Sequence, residues 1–139
     1  MRIKIEEPEK YIYKCQYKVV VSDLNYGNHL SNEKLLAIAH ECRMRFLASK
    51  SWTEMDLAGT SLIQGDAAVV YYSEGFYGDE IQIELGILDV ARVSFDLVFK
   101  MHNSTTDKPL ALVKTGMVCY DYDLKKVNPV PEELKALID

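Results

Sequence analysis

The eleven residues Ser22 to Asn32, SDLNYGNHLSN, hold one carboxylate (Asp23), three amides (Asn25, Asn28, Asn32), a glycine (Gly27) and an imidazole (His29). Carboxylates and imidazoles are the side chains that most often move protons in catalysis. Imidazole titrates near 6.5, so a large neutral fraction is present at pH 7 to act as a base. A long amphipathic stretch, EKLLAIAHECRMRFLASK, follows at once. As a helix, it would aim unpaired N–H groups and a partial positive charge at the polar turn. That end suits an anion, or a carbonyl oxygen gaining negative charge. Each residue also has a purely structural reading. Asp23 can accept backbone N–H bonds within the turn. Asn25 and Asn28 tolerate left-handed backbone angles, Gly27 meets turn geometry without strain, and His29 can simply order the loop.

Elements with two different periods must hold this turn. From Tyr11 to Val21 the pattern alternates, with Tyr11, Tyr13, Cys15, Tyr17, Val19 and Val21 on one side, which predicts a half-buried strand. The spacing of Leu35, Ile38, Ala39, Cys42 and Phe46 predicts a helix from about Glu33 to Ser49, its stripe widened by Leu36 and Leu47. Asn32 or Ser31 is the expected cap, with Glu33 suited to the positive end of the dipole. Beyond Gly59, four segments rich in Val, Ile, Tyr and Phe predict strands around Ala67–Tyr72, Glu80–Leu88, Ala91–Met101 and Leu110–Tyr122. Short turns such as EGFYGD and HNSTTDKP separate them and favour antiparallel neighbours. In PVPEELKALI, Pro131 is expected at the first position of a short closing helix, with Glu132 and Glu133 in its first turn. The expected class is α+β, a long helix packed on a curled sheet.

No repeat, low-complexity tract or linker interrupts the chain, so residues 1–139 read as a single domain long enough to bury a core. The net charge of -5 argues against non-specific nucleic-acid binding, which depends on Lys and Arg meeting phosphates. Cys15, Cys42 and Cys119 are odd in number, widely spaced and without CxxC, which argues against a disulfide framework or a zinc knuckle. The opening MRIKIEEPEK has acids where a signal peptide has an apolar core, and no run reaches membrane-spanning length. The expectation is a cytoplasmic protein with no membrane partner.

The order of these elements, joined to DLNYGNHLSN before the helix, resembles the hotdog-fold thioesterases. The likeness is greatest to the hydroxybenzoyl-CoA and acyl-CoA thioesterase branch. His29-Leu30-Ser31-Asn32 resembles the His-Val-Asn-Asn-like run that opens the central helix there. Glu41-Cys42-Arg43 looks like its Glu-Ala-Arg, and Tyr77-Gly78-Asp79 resembles a turn between two of its strands. Val127-Asn128-Pro129-Val130-Pro131 is similar to the run that ends these domains. The resemblance implies a five-stranded antiparallel sheet wrapped around one long central helix, with a short C-terminal helix. It further implies a homodimer or dimer of dimers with sites between subunits, acting on acyl-CoA or another acyl thioester. No metal or redox cofactor is implied; CoA would arrive as part of the substrate.

By the same likeness, the backbone N–H of Asn32 matches the family's oxyanion donor, a group whose loss typically costs on the order of 100-fold in rate. The branch's catalytic aspartate lies four residues before the histidine, where this chain has Asn25. An amide is neither a base nor a carboxylate nucleophile at neutral pH, although it can position water or a carbonyl. Three residues stand in for the missing base. They are His29 in the turn, Asp23 roughly 7 Å from Asn25 along an extended chain, and Glu41 on the helix. Tyr26, Gly27 and Asn28 are assigned to substrate contact.

Other residues have weaker claims. Glu41 has Arg45 one helical turn on, which predicts a surface ion pair. Cys42 lies on the apolar stripe and reads as core. His40 and His102 have no partner identifiable from spacing. Trp52, Tyr71 and Tyr72 could line an acyl pocket or simply pack, and Arg43, Arg45, Lys50, Arg92 and Lys114 are the cations available to CoA phosphates. The expected activity is hydrolysis of a fatty or aromatic acyl-CoA. Asn25 motivates the alternative of an acyl-CoA-binding module without hydrolysis. A dehydratase is weaker, because Leu30 follows His29 where those enzymes have other motifs.

Overall fold

In the computed structural model, which describes residues 2–139, β1 (Tyr13–Lys18) leads through a short 3-10 turn (Val21–Asp23) to α1 (Lys34–Ser49). Four long strands follow: β2 (Ser61–Tyr71), β3 (Glu80–Leu88), β4 (Ser94–Asn103) and β5 (Lys108–Asp121). A two-residue strand β6 (Lys126–Val127), α2 (Glu132–Lys135) and a 3-10 turn (Ala136–Ile138) close the chain. The strand order is β1-β3-β4-β5-β2, every pairing is antiparallel, and β6 adds to the end of β5.

Alternation produces the sheet's inner face. Ile81, Ile83, Leu85 and Ile87 of β3 and Phe95, Leu97, Phe99 and Met101 of β4 are all buried, as are Val113, Met117 and Cys119 of β5. They meet Leu35, Ile38, Ala39, Cys42, Phe46 and Leu47 of α1 in one core. Leu36, expected on the same stripe, is 37% exposed, so the covered face is narrower than its apolar spacing suggests. The sheet curls with help from a bulge in β2 between Gln64 and Asp66. There the Asp66 carboxylate accepts from Gly116 N–H, and a Cβ on Gly116 would stand 2.3 Å from it. On the outer face the N-terminal segment crosses at Pro8, where a Cβ on Gly86 would lie 2.4 Å from the proline ring. A curled antiparallel sheet gripping a single long helix is the hotdog architecture.

Several boundaries differ from expectation, each for a local reason. β1 is shorter than Tyr11–Val21 because its partner β3 starts at Glu80, opposite Lys18. β2 begins six residues before Ala67, because Gln64, Gly65 and Asp66 at the bulge interrupt the apolar pattern. Neither Asn32 nor Ser31 caps α1 with its side chain; the cap position is Glu33, and the entry is closed by Lys34 N–H to Ser31 O and Leu35 N–H to Asn32 O. Pro131 is the extended cap residue of α2, one position earlier than expected.

Candidate active site

The polar turn is a small hairpin sealed by its own backbone. Asn25 N–H donates to His29 O, Asn28 N–H to Asn25 O, and Ser31 N–H to Asp23 O. The left-handed residue is Asn28 at φ 64°, not Gly27. Gly27 serves a close approach instead, since its Cβ would lie 3.3 Å from Asn25 Oδ1. The returning arm is pinned to the loop between β2 and β3 by Leu30 N–H to Gly75 O at 2.8 Å and by a bridge from His29 to Phe76. Gly75 permits this approach: a Cβ there would meet Leu30 at 3.0 Å. The loop in turn is held by buried Asp79, which accepts from Phe76 N–H and Asn103 Nδ2, with Gly78 left-handed beside it.

Between the hairpin, the start of α1 and this loop lies a cleft of about 400 Å³, lined by Asn25, His29, Asn32, Tyr71 and Glu74 among others. The N–H groups of Asn32 and Glu33 find no acceptor among the described residues. They are the orphan donors of a helix start. Tyr71 reaches over to donate its hydroxyl to Asn32 O at 3.3 Å. His29 Nδ1 stands 3.3 Å from Glu74 Oε2, and its ring packs on Phe76 with centroids 5.1 Å apart. Asn25 Oδ1 accepts from Gly27 N–H at 2.9 Å and His29 N–H at 3.2 Å. Two backbone donors at the oxygen fix the amide's orientation, leaving its NH2 group as a free donor.

The remaining residues singled out from sequence lie elsewhere. Asp23 does not continue an extended chain toward Asn25. It belongs to the 3-10 turn and is buried, its Oδ2 accepting from Tyr17 OH at 2.7 Å and Val20 N–H at 2.9 Å. Burial and then the Asp23 hydrogen bond push the Tyr17 hydroxyl up to about 12. Glu41 is outside the cleft, paired with Arg45 Nε at 2.6 Å as the helical spacing suggested. Tyr26 is fully exposed at the hairpin tip. Cys42 is core, Trp52 packs half-buried against the edge of that core, and Tyr72 is exposed outside the cleft. Arg43 is buried against Glu54 and Gln64, and Lys114 is shared by Asp66 and Asp96. None of the five candidate cations lines the cleft.

Sequence reasoning missed Glu74; Tyr71, one of the aromatic residues offered as a pocket wall, does line the cleft. The signal was SEGFYGD, read only as turn material. A glutamate and a glycine just before the Tyr77-Gly78-Asp79 turn marked a loop built to approach another backbone.

No curated protein matches the chain at a significant level of sequence similarity. Solved structures do match. One is a 1,4-dihydroxy-2-naphthoyl-CoA thioesterase from Synechocystis, 18% identical, with TM-score 0.80 over 91% of this chain and 94% of that chain. Another, from a Jannaschia species and described as thioesterase superfamily, is 18% identical with TM-score 0.81, covering 93% and 82%. A Staphylococcus aureus protein solved in complex with CoA is 16% identical with TM-score 0.78, covering 97% and 85%. Identities this low carry the fold alone. The family is carried by sequence: the profile of the thioesterase-like superfamily matches residues 19–138, spanning the hairpin, the cleft-lining residues and every strand after β1, and the chain belongs to that superfamily.

Proposed function

We propose that this chain hydrolyses an acyl-CoA to the free acid and CoA, using His29 as the base and Glu74 to orient it. The observation that carries the reading is the His29–Glu74 pair at 3.3 Å, opening on the cleft that contains the unpaired Asn32 N–H. The thioester carbonyl accepts from Asn32 N–H and from the free NH2 of Asn25. Glu74 lies 3.3 Å from His29 Nδ1 and would accept from Nδ1–H as the pair tightens around bound substrate, so holding the tautomer in which Nε2 is the acceptor. Water loses its proton to Nε2 as it attacks the carbonyl carbon. The tetrahedral oxyanion is stabilised by the same donors, whose alignment costs no reorganisation. Collapse breaks the C–S bond, and His29 returns its proton to the departing CoA thiolate. CoA takes part only as half of the substrate.

We further propose that the working unit is a homodimer joined through β2. That strand is 11 residues long and lies at the sheet edge with exposed Ile63 and Tyr71. An open edge of this length invites strand pairing. A partner there would also wall the cleft beside Tyr71. Thiol release from a panel of acyl-CoA substrates tests the activity. The reading requires turnover that falls on the order of 100-fold in His29→Ala; full activity in that variant would remove the assignment.

A second reading is favoured by one residue. Asn25 stands where the resembling branch carries its aspartate, and a binding module would retain acyl-CoA without turning it over. Asn25→Asp keeps the acceptor for Gly27 and His29 N–H and places a carboxylate oxygen in the cleft. Turnover that appears only in Asn25→Asp would establish the binding module.

A further inference from the structure

The cleft has a floor and a rim of opposite character. Three leucines from three elements make the floor: Leu30 on the returning arm of the hairpin, Leu35 in the first turn of α1 and Leu110 near the start of β5. They are 7%, 3% and 1% exposed, and all three belong to the core. The backbone locks each in place. Leu30 N–H bonds to Gly75 O, Leu35 N–H to Asn32 O, and Leu110 O accepts from the N–H groups of Tyr72 and Ser73. Packed core side chains therefore close the bottom of the cleft.

The rim is polar, with Ser31, Glu33, Ser73 and Glu74 beside His29 and Asn32. Two of the lining residues are carboxylates and none is a lysine or arginine. A thioester whose carbonyl accepts from Asn32 N–H has its acyl group on one side and the pantetheine arm on the other. The arm carries two amides, which would lose their hydrogen bonds against leucine side chains. It must also lead out to the nucleotide in solvent, so the acyl group takes the floor. Each methylene occupies about as much space as a water molecule in the liquid, roughly 30 Å³. A twelve-carbon chain would take up nearly all of a cleft of about 400 Å³, leaving no room for the sulfur and the attacking water. A carboxylate at the chain end would lie among leucines, near Glu33 and Glu74, with no cation to meet it.

We propose that the cleft selects a short, uncharged aliphatic acyl group, with Leu30, Leu35 and Leu110 setting its length. The position of the thioester at Asn32 N–H rests on the hydrolase reading above. Each methylene that reaches the leucines raises kcat/KM about 4-fold by leaving water. Methylenes beyond the floor add nothing and displace the carbonyl from its donor.

The test measures kcat/KM by thiol release from acetyl-, butanoyl-, succinyl- and dodecanoyl-CoA. Butanoyl-CoA is expected to exceed acetyl-CoA about 15-fold, from two methylenes. Succinyl-CoA, equal in length but charged at its end, should fall about 10-fold or more below butanoyl-CoA, as should dodecanoyl-CoA. In Leu110→Ala the ratio of hexanoyl- to butanoyl-CoA turnover should rise about 10-fold, because room opens beneath the chain end. A merely structural role for Leu110 would lower both substrates together. Parity of dodecanoyl- or succinyl-CoA with butanoyl-CoA overturns the proposal, as does an unchanged ratio in Leu110→Ala. Should that variant fail to fold, the substrate order of the unmutated chain decides. Absence of thiol release from every substrate would remove the hydrolase reading alone. The S-butyl, S-carboxypropyl and S-dodecyl thioethers of CoA, which have no scissile thioester, then test the floor by calorimetry. S-butyl-CoA should bind about 10-fold or more tightly than the other two, and any other order overturns the proposal.

Discussion

The chain contains two histidine–glutamate pairs that look alike as pairs and differ in everything around them. His40 Nε2 meets Glu54 Oε1 at 2.9 Å, while His29 Nδ1 meets Glu74 Oε2 at the looser 3.3 Å. Glu54 is also gripped by Arg43 Nε at 2.7 Å, and Arg43, only 4% exposed, continues to Gln64 Oε1 on β2. Glu74 has no such cation, and its pair opens on the cleft beside unpaired helix amides. The shorter bond therefore does not belong to the pair proposed as catalytic. What matters is whether the carboxylate's charge is already committed and whether the imidazole faces room for a substrate. The Glu54 carboxylate neutralises a buried guanidinium and ties the loop after α1 to the helix. Glu74 has no such commitment among the described residues, which is why it is the proposed partner of His29.

The sharpest way to separate the two pairs is to neutralise each glutamate. Glu54→Gln leaves Arg43 buried without a counter-charge, and chemical denaturation is expected to show a loss of about 3 kcal/mol. Its acyl-CoA turnover per folded molecule should be unchanged. A large loss of turnover there would erase the distinction drawn between the pairs. Glu74→Gln is expected to do the reverse. Stability should hold, because an exposed pair contributes little, while kcat/KM falls on the order of 10-fold as His29 loses its orienting acceptor.

The next effect is one of pH. Burial acts to raise the Glu54 carboxyl, but hydrogen bonds from His40 and Arg43 outweigh it and hold the group below its ordinary value of 4.5. A carboxylate with a depressed folded pKa stabilises the fold above the unfolded value and ceases to do so as pH drops through the folded one. Tm of the unmutated chain should thus decline below pH 4.5 with a component that Glu54→Gln lacks. Parallel Tm curves for the two proteins would show that the carboxylate is not the titrating group. The smallest change is expected from His40→Ala, which leaves the Arg43–Glu54 contact intact and should cost roughly 0.3 kcal/mol.

Much of the architecture was legible in the sequence because the pattern of burial repeats with the period of each element. Ile81, Ile83, Leu85 and Ile87 announce β3 by themselves, and its observed limits are the expected Glu80–Leu88. Legibility failed where polar atoms are satisfied by distant partners. Arg43 was read as a cation available to CoA phosphates, although Glu54 and Gln64 let it be buried. Asp23 was placed beside Asn25 on an extended chain, but Tyr17 and Val20 turn it back toward β1. Of the cleft, the hairpin side was visible as a cluster of chemically able residues. The loop side was not, because Glu74 lies more than forty residues from His29 and no local pattern links them.

By itself the sequence determined the elements, their amphipathic faces, the polar turn before the helix and the family to which the chain belongs. These depend on local propensity and on periodicity, which are written in neighbouring residues. Only the tertiary structure decided which histidine has an uncommitted carboxylate, which way Asp23 faces and how Arg43 comes to be buried. Those outcomes depend on third partners delivered by other strands and loops, and on where the packed sheet leaves open space next to the helix start.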